Sequence, residues 1–118
     1  MNLEVLDISP RAVRVRPEVV LTCRASDLNI VLEREDLAGP ERFDLIVGTN
    51  IFIYYGPFEQ SLALENAGAM LKAGGLLLSN DRLPEVPGGS MRLAGVTRVS
   101  FDDRDPTARD DIGRYRKQ

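Results

Sequence analysis

The stretch from Phe43 to Asn80 restricts the possible folds more than any other part of the chain. Phe43 to Gly48 is an almost continuous apolar run between charged residues and a Gly-Thr-Asn turn, which is typical of a strand covered on both faces. Pro57 to Leu71 carries apolar side chains at helical spacing, and Leu76 to Asn80 is a second apolar run. A strand, a helix and a strand in this order predict two adjacent parallel strands with a right-handed crossover.

The flanking segments carry weaker signals. Leu3 to Asp7 and Val19 to Arg24 are rich in apolar or β-branched residues and are predicted to be strands, with one helical turn starting at Pro10 between them. Met91 to Phe101 is a further strand candidate, and the polar stretch from Asp102 to Gln118 is either a hairpin return or a frayed tail. We therefore expect an α/β domain with a mostly parallel sheet and room for an antiparallel C-terminal strand or hairpin.

The length and composition predict one soluble domain. The chain has 118 residues, of which 43% are hydrophobic and 28% are charged, and domains usually span about 100–200 residues. Neither a basic-then-apolar leader nor an apolar run near the ~20 residues of a membrane span is found in the sequence. We expect a cytoplasmic protein without a membrane partner. The net charge of −3 does not favour nucleic acid.

Histidine and cysteine usage removes several kinds of chemistry. The chain has no histidine and one cysteine, which excludes histidine-based catalytic triads, histidine-ligated zinc and internal disulfides. Cys23 lies inside a predicted strand without a cation pattern around it, so we expect a buried structural thiol. The acidic residues after Phe101 lack the spacing of a calcium loop, and no metal site is predicted.

Polar residues follow each predicted strand, where an open parallel sheet binds its ligands. These strand exits are Asp7, Asp27, the Gly48 to Asn50 turn and the Asn80-Asp81 pair. A carboxylate can accept both hydroxyls of a ribose, and a glycine allows close approach of a ligand. The pattern indicates a nucleoside-type ligand, although each residue is also typical of an ordinary strand-to-loop turn.

Three motifs in the middle of the chain form a composite that is recognisable as a whole. They are an F-D-L-I-V strand from Phe43, an N-x-x-x-Y turn from Asn50 and an L-K-x-G-G-x-L strand entry from Leu71. The composite resembles the second half of Rossmann-like (class I) S-adenosylmethionine-dependent methyltransferases, and its N-x-x-x-Y turn is especially similar to the chemotaxis-receptor (CheR-like) branch. The resemblance covers Asp27 to Asp81.

The resemblance implies a cofactor and a set of residues that hold it. The cofactor is S-adenosylmethionine. Asp7 would bind its ribose, Asp27 and Leu28 its adenine, and Asn50 with Ile51 the methionine end near the transferred methyl group. The resemblance identifies neither the methyl acceptor nor a catalytic residue.

The sequence departs from this family at its N-terminal side. The glycine-rich first strand and turn of the family are not found before Asp7. We therefore expect residues 1–118 to be a single, incomplete methyltransferase-like domain that transfers methyl groups when the missing part is supplied. One alternative is a truncated, non-catalytic binding or assembly module; another is a nucleotide-binding enzyme of different chemistry. A sheet without a central strand exposes an edge, which predicts homo-oligomers through that edge.

Overall fold

The structure, a computed structural model, describes residues 6–8 and 12–118. Within these residues the strands are β1 (Leu6–Ile8), β2 (Val13–Val15), β3 (Phe43–Gly48), β4 (Leu71–Ser79), β5 (Met91–Ser100) and β6 (Arg109–Lys117). The α-helices are α1 (Pro17–Val20) and α2 (Pro57–Met70), and single 3-10 turns cover Gly39–Glu41 and Phe52–Tyr54. The four longer strands form one sheet in the order β3-β4-β6-β5, and β1 pairs with β2 in a separate two-stranded sheet.

The predicted strand–helix–strand unit is present. β3 and β4 pair in parallel, with Leu45 opposite Leu76 and Gly48 opposite Ser79. Helix α2 joins them, with Pro57 in its first turn, where a missing N–H costs nothing. The helix buries Leu64 completely in the core it shares with the sheet. The prediction of two adjacent parallel strands joined by a covering helix is therefore confirmed.

The junction between α2 and β4 differs from the sequence prediction. The helical spacing in the sequence extends to Leu71 and the next apolar run starts at Leu76, but α2 ends at Met70 and β4 starts at the next residue. Gly74 has a positive φ of 80° inside β4, where the register jumps between the Phe43 and Leu45 pairings. The glycine pair therefore forms a bulge that brings β4 back into register with β3.

The expectation of a mostly parallel sheet is wrong. β6 pairs antiparallel with both β4 and β5, so the sheet is mixed and has one parallel pair. The reason is the C-terminal segment, which returns from β5 through a short polar connection and inserts between β5 and β4. Tyr115 of β6 is 1% exposed, and its burial fixes this insertion at the centre of the sheet. Of the two alternatives for the C-terminal end, the hairpin is the one that forms.

The N-terminal part also differs from its prediction. The strand expected at Val19 to Arg24 is absent; α1 and an irregular segment stand there, because Pro17 starts a helical turn. Cys23, expected to be buried, is exposed. β1 adds no parallel strand to the main sheet, since Asp7 pairs antiparallel with Arg14 of β2. A chain interrupted by proline at this point is too short for a parallel crossover.

The core lies on one face of the four-stranded sheet. Leu77, Met91 and Tyr115 of the sheet pack there with α2 and with Leu83 of the loop between β4 and β5. The opposite face is less covered: Leu45 and Val47 of β3 are 51% and 60% exposed. In the described parts of the chain, no helix is long and apolar enough to cross a membrane.

Candidate functional site: a cleft beside β3

A cleft of about 890 Å³ opens beside β3, and residues of β3, α2, the Phe52–Tyr54 turn and the irregular segment from Thr22 to Glu35 line it. We call residues 22–35 the 22–35 segment. The deepest lining side chains are apolar and buried, namely Phe52, Ala67 and Met70. The volume is in the range of small-molecule pockets, about 300–1,000 Å³.

Polar side chains line the outer part of the same cleft. The 22–35 segment contributes Thr22, Arg24, Ser26 and Glu35, of which the first three are exposed. A largely apolar floor with a few polar groups at the mouth is the usual composition of a ligand pocket. The opposite charges of Arg24 and Glu35 suit a ligand that carries both a carboxylate and an ammonium group.

The 22–35 segment is held on α2 by side chains rather than by a strand ladder. The Asn66 Nδ2 group donates to the carbonyl oxygens of Ile30 and Val31, at 2.7 and 3.1 Å. The Glu35 N–H donates to the Met70 sulfur at 3.4 Å. These contacts place an irregular segment opposite β3 and create the second wall of the cleft.

Gly48 at the end of β3 is required by packing. A Cβ built on Gly48 would lie 2.6 Å from the Phe52 ring, which is closer than side chains tolerate. The Phe52 ring is 1% exposed and forms part of the cleft floor. The glycine therefore allows the turn after β3 to fold back onto the strand end.

Two asparagines tie the carboxyl ends of β3 and β4 together. The Asn50 N–H donates to Asn80 Oδ1 at 2.9 Å, and Asn80 Nδ2 donates to Asn50 Oδ1 at 2.7 Å. Asn50 has a positive φ of 59°, a conformation that asparagine tolerates better than most residues. The asparagine pair fixes the turn that carries Ile51 and Phe52 to the cleft.

The residues that the resemblance singled out lie at different places. Leu28 and Ile51 both line the cleft, from opposite walls. Asp27 and Asn50 are exposed and adjoin these lining residues in the chain. Asp7 lies in β1, which pairs with β2 in a two-stranded sheet separate from the four-stranded one, and its side chain falls outside the described part of the structure. The cofactor roles of all five residues remain predictions.

Asp81, which follows β4, does not line the cleft; it lines a separate, smaller pocket of about 280 Å³ between the end of β4 and strands β5 and β6. Asp81 Oδ2 is buried and has no hydrogen-bond partner among the described residues. The Ser79 hydroxyl fixes the backbone here, donating to the Asp81 carbonyl oxygen and accepting from its N–H, both at 3.0 Å. An unpartnered buried carboxylate oxygen is costly, and such groups are often explained by a ligand.

Sequence patterns did not identify several of the residues that line the cleft. Arg24 and Glu35 lie in a segment without periodicity, and Met70 lies in the predicted helix without a signal that marks it as a site residue. Tyr55 packs against the core and also lines the cleft, whereas Tyr54 is exposed. Among the described residues, histidine, cysteine and acidic side chains do not gather in groups of three that could hold a metal.

No protein family matches the sequence. No curated protein is significantly similar to it.

Proposed function

We propose that the cleft beside β3 binds the adenosyl and methionine parts of S-adenosylmethionine, and that this chain carries the cofactor side of a methyl-transfer site. The observation that supports this most is positional. The cleft lies where the parallel β3–β4 pair ends, at Gly48 and Ile51, within the motif that resembles methyltransferases.

The lining of the cleft suits this cofactor. Phe52, Met70 and Ile46 offer apolar surface to an adenine ring and a thioether chain. Arg24 and Glu35 offer a cation and an anion to the carboxylate and the ammonium group of the methionine end. The volume of about 890 Å³ accommodates a nucleoside with an amino-acid tail.

The residues of this chain would assist methyl transfer by positioning the cofactor and by excluding water from it. S-adenosylmethionine supplies a methyl group on a positively charged sulfur, which is a good leaving group. The buried floor around Phe52 and Ala67 keeps water from that part of the cleft. The asparagine pair holds the turn before Ile51 rigid, so that bound groups keep one orientation.

Calorimetric titration of the full chain with S-adenosylhomocysteine tests the proposal without needing the methyl acceptor. Ile51→Asp places a charge in the cleft lining and is expected to weaken binding at least about tenfold, which corresponds to 1.4 kcal/mol. Ile53→Asp is the matched control, because Ile53 is exposed and does not line the cleft, and its binding is expected to equal that of the parent chain.

Two results would contradict the proposal. The first is the absence of both heat and a thermal shift at millimolar S-adenosylhomocysteine. The second is equal loss of binding in the two isoleucine variants. Binding of adenosine triphosphate in preference to S-adenosylhomocysteine would instead support a nucleotide-binding enzyme of other chemistry.

A further inference from the structure

We propose that the face of the four-stranded sheet opposite the core, here called the open face, binds an amphipathic helix of a partner protein that carries acidic side chains. The proposal does not depend on the proposed function, because it concerns the side of the sheet away from α2 and the core. Successive side chains of a strand point to opposite faces. Leu77 and Tyr115 point into the core, so their neighbours in the chain form the open face.

Two rows of side chains cross the open face from β3 to β6. Directly paired residues of neighbouring strands lie on the same side of a sheet. Each row has an aliphatic residue from β3, a leucine from β4 and an arginine from β6, which are Leu45, Leu76 and Arg116 in one row and Val47, Leu78 and Arg114 in the other. The open face is therefore aliphatic on its β3–β4 half and positively charged at β6.

The aliphatic half is incompletely covered. Leu45 is 51% exposed, and Leu76 and Leu78 are partly exposed. Val47 also lines the cleft, whereas these three leucines do not. Parallel strands with such continuous aliphatic sequences are usually covered on both faces, but α2 covers β3 and β4 on the core side. A second apolar element on the open face would bury these leucines.

The arginines determine the charge of that element. Arg116 Nη1 donates to the Gly74 carbonyl oxygen at 3.2 Å. The Arg114 guanidinium donates to the Thr97 hydroxyl and lies over Gly95, where an added Cβ would collide with it. These partners are neutral, and the ion pairs among the described residues involve other side chains. Both positive charges are therefore left to complement carboxylates of a partner.

The flanking residues strengthen the positive charge near Arg116. Arg92 of β5 lies opposite Arg116 and donates to the carbonyl oxygens of Gly89 and Met91, which are also neutral. Asp110, on the same side of β6, lies four residues from Arg114 towards the other end of the strand. A nucleic acid would supply negative charge without an apolar stripe, and the net charge of −3 does not favour it.

The spacing of the two rows suits an α-helix laid along the strands. Residues two apart on a strand, such as Arg114 and Arg116, are separated by about 6.6 Å, and residues four apart on a helix by a rise of about 6 Å. Leucines four apart on the helix can therefore meet both rows on β3 and β4. Acidic residues four apart on its flank can meet both arginines, because neighbouring strands are only about 4.8 Å apart.

Selection from a displayed peptide library tests the charge and the spacing. The library consists of helices of about five turns with a fixed leucine stripe and randomised flanking positions. The parent chain is expected to enrich aspartate and glutamate at flanking positions four apart. Arg116→Glu is expected to bind the selected peptide about tenfold more weakly. Arg109→Glu is the matched control, since Arg109 is an exposed residue of β6 on the other side of the sheet, and its affinity is expected to equal that of the parent.

Two further measurements separate binding from folding. Replacing one glutamate of the selected peptide with lysine is expected to restore its binding to Arg116→Glu. Leu45→Asp is expected to weaken binding of the original peptide, whereas Val96→Asp, at a residue that is 52% exposed on the core side of β5, is not. Titration with S-adenosylhomocysteine is expected to give equal affinities for Arg116→Glu and the parent, which keeps this result distinct from that for the cleft.

Three results would overturn the proposal. The first is a selection by the parent chain that does not enrich acidic residues. The second is equal weakening of peptide binding by Arg116→Glu and Arg109→Glu. The third is binding of the parent chain to phosphatidylglycerol vesicles without enrichment of acidic peptides, which would assign the open face to a membrane surface.

Discussion

β5 and β3 end the same sheet on opposite sides, and the chain completes these two edges differently. On the β5 side, a hairpin, the Glu85 carboxylate and the buried Tyr115 fix the strand. On the β3 side, the aliphatic side chains of Leu45 and Val47 are more than half exposed, and the cleft opens beside the strand. The difference indicates that the β4–β6–β5 side provides most of the stability, whereas the proposed binding site lies at the less tightly packed β3 side.

The largest expected difference between the two sides is in the cost of removing a leucine side chain. Leu77→Ala empties a fully buried position between α2 and the sheet and is expected to lower the free energy of unfolding by about 2–5 kcal/mol. Leu45→Ala, on exposed β3, is expected to cost less than about 1 kcal/mol. Urea denaturation followed by circular dichroism measures both. Equal losses of unfolding free energy in the two variants would contradict the proposed difference in stability between the two sides of the sheet.

A smaller effect is expected from one hydroxyl group on the β5 side. The Tyr115 hydroxyl accepts from the Leu83 N–H at 2.8 Å, and both groups are buried. Tyr115→Phe leaves that N–H without its partner and is expected to cost about 1–3 kcal/mol. Tyr54→Phe is the control, because Tyr54 is exposed, and no measurable change is expected. A loss in the control as large as in Tyr115→Phe would contradict this assignment.

Amide hydrogen exchange compares the edges directly. In the parent chain, the amides of β3 that do not pair with β4 are expected to exchange faster than the Leu93 amide, which the Glu85 carboxylate protects. Glu85→Ala is expected to speed exchange at Leu93 about tenfold, as for a hydrogen bond to a charged group worth about 1.4 kcal/mol. Exchange along β3 as slow as at Leu93 in the parent chain would contradict the difference between the two edges.

The smallest expected effect is a pH dependence in the β5–β6 hairpin. Arg98 lies opposite Asp111 and donates to its carboxylate at 2.8 Å, and this hydrogen bond lowers the pKa of Asp111 below its usual value of 3.8. The stabilisation is therefore fully present above pH 3.8 and is lost as the pH falls through the lowered pKa of the folded state.

Melting temperatures of Asp111→Asn measure this effect, which is small because both side chains are exposed. The variant is expected to melt slightly below the parent at neutral pH and together with it in strong acid. Asp110→Asn, on the neighbouring residue opposite Val99, controls for loss of charge alone. A deficit that stays constant down to strongly acid pH would contradict the assignment.

The parts of the fold that the sequence predicted correctly are those whose apolar patterns lie in neighbouring segments of the chain. The β3–α2–β4 unit follows from two apolar runs and one helical repeat that are adjacent in the chain. The insertion of β6 depends instead on burial of Tyr115 between strands that are distant in sequence. The predicted strand at Val19 to Arg24 fails because strand propensity requires a partner strand, and Pro17 favours a helical turn there.

In the candidate site, too, residues within a sequence motif were predicted, and residues placed by distant contacts were not. Leu28 and Ile51 were selected by a motif, and both line the cleft. Arg24 and Glu35 were not selected, because the 22–35 segment has no regular structure. Its position depends on hydrogen bonds from the side chain of Asn66, a residue that is distant in sequence. Contacts between side chains and a distant backbone leave no periodic signal in a sequence.

The most direct test of the account is a map of amide chemical shifts as S-adenosylhomocysteine is added to the isotopically labelled chain. We expect the amides of Leu28, Gly48 and Ile51 to shift together, with one dissociation constant, while Val96 and Val99 on β5 stay in place. Shifts that cluster on β5, or no shifts beside β3 at saturating ligand, would contradict the assignment of the cleft.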